Sequence, residues 1–289
     1  MTTDPPYSLR LPQRRDTAVI FSSPHSGRDY PAAMMGRSLL DGRIIRSSED
    51  AFIDRLYDSA PDHGAPLIAA CAARAFIDLN RAPDELDPAL IEGVLRAPHN
   101  PRISSGLGVI PRVVANGRAI YRGRIPLAEA QDRIARYWQP YHDALRALID
   151  DNCARFGQAI LIDAHSMPHE AIETHSRPGQ PRPDVVLGDR FGAAADCWVV
   201  EAVESAFAAA GLRVARNMPF AGAYIAQAYG RPSRRQHVVQ VEVDRALYMD
   251  ETRIEPRPDF AAFRALMAGV VARIAAAGRG AASLPLAAE

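Results

Sequence analysis

Two histidines stand where short apolar runs end. His25 follows TAVIFSS (17–23) in Ser-Pro-His-Ser-Gly, where glycine permits a tight turn, and His165 closes QAILIDAHS (158–166). An imidazole at a strand exit offers a nitrogen lone pair from a rigid backbone. Two such histidines, one carboxylate and an open position form a known catalytic zinc pattern. Asn80-Arg81 ends PLIAACAARAFIDL (66–79), and Glu242 alternates with valines in HVVQVEVD (237–244). A carboxylate in so apolar a run faces solvent, is paired or does chemistry, because leaving it buried and unpaired is costly. The other histidines, His63, His99, His142, His169, His175 and His237, are read as hydrogen-bonded structural residues.

The elements that must position these groups alternate between strand and helix. Strands are expected at 17–23, 158–166, 184–189 and 237–244, with one or two more in 66–79. Ser47 and Ser48 before EDAFIDRLYDSA suggest a capped helix with Phe52, Ile53, Leu56 and Tyr57 on one face. A long amphipathic helix is expected at 127–156, bent at Pro140, and further helices at 194–210 and 258–277. Asn116-Gly117 marks a short hairpin between VIPRVV and AIYRGR. Residues 82–108, rich in proline, asparagine and glycine, are expected to form a long loop, and such loops are often functional. Residues 1–15 are read as a loose arm and 278–289 as a frayed tail. The alternation implies one α/β domain over 1–289, its sheet covered by helices on both faces. Ligands of such sheets sit outside the carboxyl ends of strands, where His25, Asn80-Arg81, His165 and Glu242 all fall.

Composition excludes several chemistries. All 34 basic residues are arginine, so a Schiff-base lysine, a pyridoxal-phosphate anchor and a P-loop lysine are impossible. The 34 acidic residues balance them, so no global field recruits nucleic acid or an anionic membrane, and an anionic partner must be held by local arginines. Cys71, Cys153 and Cys197 are widely spaced and form no CxxC, which indicates neither a disulfide framework nor a thiolate zinc site. No GxSxG supports a serine hydrolase. No run approaches the ~18–20 apolar residues of a membrane span, and the chain reads as cytoplasmic.

The segments SSPHSGRDYP, EDAFIDRLY, RAFIDLNRAPDELDP, PYHDAL, LIDAHSMP and QVEVDRALYMDE together resemble the N-formylglutamate amidohydrolase family. That family is related in fold to zinc carboxypeptidases and aspartoacylase. The resemblance implies a three-layer α/β sandwich with a mixed central sheet, zinc-carboxypeptidase-like (phosphorylase/hydrolase-like). It implies one zinc ion, or another divalent metal, on His25, His165 and a carboxylate: Asp50, with Glu49 as the alternative. Glu242 becomes the general base and acid for a zinc-activated water. Asn80 and Arg81 grip a substrate carboxylate, with Arg122 and Arg112 as weaker candidates for polarising the carbonyl or binding a second carboxylate. The implied reaction is hydrolysis of N-formyl-L-glutamate, a small anionic molecule, to formate and L-glutamate. A deacylase or carboxypeptidase acting on another N-acyl amino acid or short peptide, and a non-catalytic binding relative, are the alternatives.

Overall fold

Period-two alternation decides which face each strand buries and where the polar groups emerge. The computed structural model describes residues 5–95, 100–173 and 182–280. Among these, seven strands form one sheet: β1 (Tyr7–Arg10), β2 (Val19–Ser23), β3 (Leu67–Ala70), β4 (Ala159–Met167), β5 (Val185–Gly188), β6 (Val214–Arg216) and β7 (Gln236–Asp244). Their order is β1-β3-β2-β4-β7-β5-β6. The sheet is mixed: β1 on β3 and β5 on β7 are antiparallel, and the other pairs are parallel.

Helices cover both faces, giving the three-layer α/β sandwich. They include α1 (Leu127–Arg133), α2 (Gln139–Phe156), α3 (Cys197–Ala208), α4 (Tyr224–Tyr229) and α5 (Phe260–Gly280). On one face Val19, Phe21, Ile160, Ile162, Val239 and Val241 pack with residues of α3 and α5. On the other, Ile20, Ile68, Leu161 and Val238 pack with Tyr141, Leu145 and Ile149 of α2. Burying each such side chain contributes roughly 1.5–3 kcal/mol, which fixes the register because a one-residue slip would exchange the faces.

Towards the carboxyl ends the α2-side face turns polar. Ser22, Asp163, His165, Gln240 and Glu242 occupy the positions that continue Ile20, Leu161 and Val238, and the ladder pairs Ser22 with Asp163, Asp163 with Gln240, and His165 with Glu242. Val239, Val241 and Val243 thus face α3 and α5, while Gln240 and Glu242 face the site.

Several elements differ from expectation. Tyr7–Arg10 is an edge strand rather than part of a loose arm. The stretch after Ser47 and Ser48 is not one helix: a 3₁₀ turn (Ile44–Ser48) ends, Phe52 takes a left-handed φ of 67°, and only Ile53–Leu56 is helical. Of 66–79 only β3 is extended. Pro140, which lacks the N–H that would bond Arg136, is preceded by a π-helical turn (Ile134–Trp138) joining α1 to α2. The 82–108 segment carries a short helix (Pro101–Ser104) and returns through the bonds Asp78 N–H to Val109 C=O and Val109 N–H to Glu85 C=O; residues 96–99 lie outside the described residues. The Asn116-Gly117 hairpin forms, both residues having positive φ. Helix α5 continues to Gly280, and 281–289 lie outside the described residues. By length and composition alone 260–279 is apolar enough to cross a membrane, although Arg264 and Arg273 interrupt the run. Within the fold Met267, Val270, Val271 and Ile274 from it are core residues.

The turn that carries His25 lies directly on the chain leaving β3. A Cβ on Gly27 would stand 2.1 Å from the Ala72 carbonyl oxygen and 2.6 Å from that of Cys71, both backbone atoms. Gly27→Ala is expected to destabilise the protein by ~1–3 kcal/mol, as overpacking does. Urea denaturation measures this; an unchanged midpoint would mean that the backbone yields freely there.

Candidate metal centre

His25 and His165 meet. Their ring centroids are 4.8 Å apart, and both are buried. His165 is delivered by β4, and His25 by the turn after β2, the adjacent strand. Between them comes Asp50, whose backbone N–H donates to the His25 carbonyl at 3.0 Å. The broken helix has its reason here: the chain stays irregular through 49–52 so that Asp50 turns inward.

Both imidazoles aim Nδ1 at one oxygen. Asp50 Oδ2 lies 3.3 Å from His25 Nδ1 and 2.9 Å from His165 Nδ1. The opposite nitrogens face carboxylates: His25 Nε2 is 2.7 Å from Asp78 Oδ1, and His165 Nε2 is 3.0 Å from Asp163 Oδ2. Asp78 favours a proton on His25 Nε2, which leaves its Nδ1 with a lone pair, whereas His165 Nε2 lies 3.0 Å from both the Asp163 carboxylate and the Asn80 amide nitrogen. The His25 Nδ1 lone pair and the Asp50 oxygen repel each other unless something positive lies between them. Burial opposes charge on His165, but Asp163, Asp50 and Glu242 together outweigh it and push its pKa well above the usual range. Burial would raise Asp50, yet the imidazoles of His165 and His25 beside it hold it well below the usual carboxylate range. His25 Nδ1 has no hydrogen-bond partner although buried. The three donor atoms lie within 4.8 Å of one another. An N, N, O donor set, buried and backed by carboxylates, fits a divalent metal ion, which would replace the shared proton.

Further groups hold this arrangement. Asp50 Oδ1 accepts from Ser166 Oγ at 3.0 Å and Arg245 Nη2 at 3.2 Å. Arg245 also donates to Ser166 Oγ and to the carbonyls of Ser47 and Glu49. Asp78 accepts from Arg74 Nε, and Asp163 from Ser22 Oγ. Glu49 turns away and binds Arg46 and Tyr30, so Asp50 is the carboxylate that faces the imidazoles.

A cleft of about 650 Å³ opens over the centre. Glu242 lines it, and burial pushes its pKa up to about 7, with His165 pulling it down and Asp50 pushing it up. Arg74, Arg81 and Arg102 also line it, together with the 113–117 hairpin and the 219–223 wall. Arg81 donates to the carbonyls of Leu107 and Asn80. Asn80 Oδ1 accepts the Ile225 N–H, and its Nδ2 faces both His165 Nε2 at 3.0 Å and Asp163 Oδ2 at 3.2 Å. Arg122 is exposed and absent from the lining, its N–H bonded to the Arg37 carbonyl. Arg112 binds Asp87 and the Ser104 carbonyl. Asp78, Asp163, Ser166, Gln240, Arg74 and Arg245 are not among the residues the sequence singles out. Asp163 carried a signal, lying two residues before His165 on the same face of one strand.

A three-layer α/β fold with a candidate metal centre under an arginine-lined cleft is therefore the class of protein at hand. A family model described as N-formylglutamate amidohydrolase matches residues 17–249, a span containing every group of the centre. The chain is 33% identical over 243 residues to the N-formylglutamate deformylase of Pseudomonas aeruginosa, covering 83% of this chain and 85% of that one. It is likewise 33% identical over 237 residues to the enzyme of the same name from Pseudomonas putida, covering 81% and 82%. The crystal structure of N-formylglutamate amidohydrolase from Ralstonia eutropha JMP134 superposes with a TM-score of 0.88 at 35% identity, over 95% of this chain and 99% of that one. The chain belongs to the N-formylglutamate amidohydrolase family, and so to the amidohydrolases.

Asp78 touches no other member of the donor set except His25, which makes it a clean test of the arrangement. Asp78→Asn should weaken metal binding by roughly 10–100-fold, the usual cost of losing a carboxylate behind a ligating histidine. Competition between the folded protein and a chromogenic chelator measures it; wild-type affinity would remove Asp78 from the centre.

Proposed function

We propose that the chain hydrolyses N-formyl-L-glutamate to formate and L-glutamate, using a zinc ion held by His25, Asp50 and His165. The observation that carries this reading is the buried convergence of two imidazoles on one Asp50 oxygen, beside Glu242 and beneath cleft arginines. The names of the relatives favour the substrate. When bound, the ion would supply Lewis acidity and a lowered pKa for water.

The protein's own groups divide the rest. Asp78 and Asp163, with Asn80 beside His165, hold the Nε2 edge of each imidazole and so would present Nδ1 to the ion. Arg81 takes a substrate carboxylate in charge-assisted hydrogen bonds, its planar guanidinium fixing the scissile amide relative to Glu242. Arg74 and Arg102, in the same cleft, serve the second carboxylate and the charge that develops on the carbonyl oxygen. Glu242, poised near neutrality by burial, accepts a proton from the attacking water and returns it to the leaving nitrogen.

Two outcomes are expected. Exhaustive chelation should abolish formate release from N-formyl-L-glutamate, and added zinc should restore it; turnover by metal-free protein would defeat the mechanism. In a panel of N-formyl and N-acetyl amino acids, N-formyl-L-glutamate should have the highest kcat/KM. Separately, Glu242→Gln should lower kcat by roughly 10²–10⁴ with metal content unchanged, the range for loss of a general base. Steady-state kinetics with metal analysis checks this, and a variant with near-wild-type kcat would assign the proton transfer elsewhere.

A further inference from the structure

Gln240 is bonded at both ends of its amide. Its Oε1 accepts the Ala223 N–H at 2.8 Å, and its Nε2 donates to Glu242 Oε1 at 2.7 Å. The two side chains stand two residues apart on β7, on one face, exposed by 4% and 7%. The Ala223 N–H fixes the sense of the amide. Turned by 180°, it would oppose NH₂ to N–H and its oxygen to a carboxylate. Gln240 can therefore give a hydrogen bond to Glu242 but cannot take one.

Asn80 repeats the device. Its Oδ1 accepts the Ile225 N–H at 2.7 Å, and its Nδ2 donates to Asp163 at 3.2 Å. Two carboxamides thus connect backbone donors at 223 and 225 to two buried carboxylates. In each case the backbone donor dictates which end of the amide meets the carboxylate.

We propose that Gln240 is a positioning residue for the hydrolysis: by donating to Oε1, it makes Oε2 the proton-exchanging oxygen of Glu242. This rests on the reading of Glu242 as general base and acid. A proton on Oε1 would point at the amide NH₂ and displace the 2.7 Å bond, so Glu242 carries its proton on Oε2. Water gives one proton to Oε2 as its oxygen bonds the formyl carbon. Oε2 then passes that proton to the amide nitrogen as the C–N bond breaks. The water's other hydrogen leaves with the formic acid, which ionises, and Glu242 ends as it began.

Two substitutions separate this role from support of the 219–223 wall. Gln240→Glu keeps an acceptor for the Ala223 N–H but sets a carboxylate against Glu242. Gln240→Met keeps the length and loses both functions. Both are expected to lower kcat for N-formyl-L-glutamate by about tenfold or more, a part of the full general-base effect. KM should stay within about twofold, with bound zinc close to wild type, while the thermal midpoint falls for either change because a buried carboxylate or an unpaired N–H is left at the site. In an E242Q background, Q240M should cost less than about twofold further, because its route of action is gone.

Wild-type kcat in Q240M would overturn the proposal. So would a loss confined to Q240M, which would assign Gln240 to the wall, or a rise in KM alone, which would make it a substrate contact. Equal losses from Q240M with and without Glu242 would also overturn it. A wild-type enzyme inactive on every N-formyl and N-acetyl amino acid tested would remove the hydrolase reading and this proposal with it. An active wild type with unaffected variants would remove the proposal alone.

Discussion

Three carboxylates buried around two imidazoles set the terms for everything else in this fold. Asp50, Asp78 and Asp163 are all nearly inaccessible to solvent. A buried ion carries a penalty of several kcal/mol even after relaxation, so each must be matched by donors in its immediate surroundings. Asp78 is matched by Arg74, the Asn80 N–H and His25; Asp163 by Ser22, Asn80 and His165; Asp50 by Ser166, Arg245 and the two imidazoles. The donors come from distant stretches of chain, so the centre also ties those stretches together. The remaining negative charge explains why His165 is driven to hold a proton and why a cation would be welcome in its place.

That demand reaches into the backbone. Asp50 must face inward from a segment whose sequence favours a helix, and the helix gives way. Phe52 accepts a left-handed φ, uncommon for a bulky residue, while its ring is buried against Phe260. The Asp50 N–H is spent on the His25 carbonyl rather than on a helical partner. Strain of this kind persists only where surrounding contacts over-determine the conformation. Here the contacts are the buried ring on one side and Asp50's four partners on the other.

Much of this was legible in the sequence, and the part that was not has a common cause. An apolar run located β4 and alternation located β7, and those runs located His165 and Glu242, because run length, periodicity and strand ends are local properties. The same locality misled at 47–60, where serine caps and an apolar stripe describe a helix that the buried charge of Asp50 overrides. Tyr7–Arg10 read as a loose arm because its partner, β3, is fixed by tertiary pairing. Asp78 and Asp163 escaped notice as partners of the histidines because their role is defined by a nitrogen atom brought in from another turn or strand. Arg122, a weaker candidate from the family resemblance, lies outside the cleft. Its position in a loop could not be fixed by any pattern in its neighbours.

The arginines show a division of labour that a lysine could not reproduce. Arg245 donates at once to Ser166 Oγ, the carbonyls of Ser47 and Glu49, and Asp50 Oδ1, from three nitrogens of one plane. An ammonium has three protons on a single atom and cannot span those four acceptors. The guanidinium therefore does more than neutralise Asp50. It fixes the backbone carbonyls on either side of Ser48, and so sets the direction in which the chain enters the centre. Arg74 joins Asp78 to the cleft in the same manner, one edge bonded inward and the group as a whole lining the space above. The residues that would perform chemistry thus stand on strands and on segments clamped by such forks. The 113–117 hairpin and the 219–223 wall, which face the same cleft, lie outside the sheet. Substrate choice can change in those loops while the centre beneath them stays rigid.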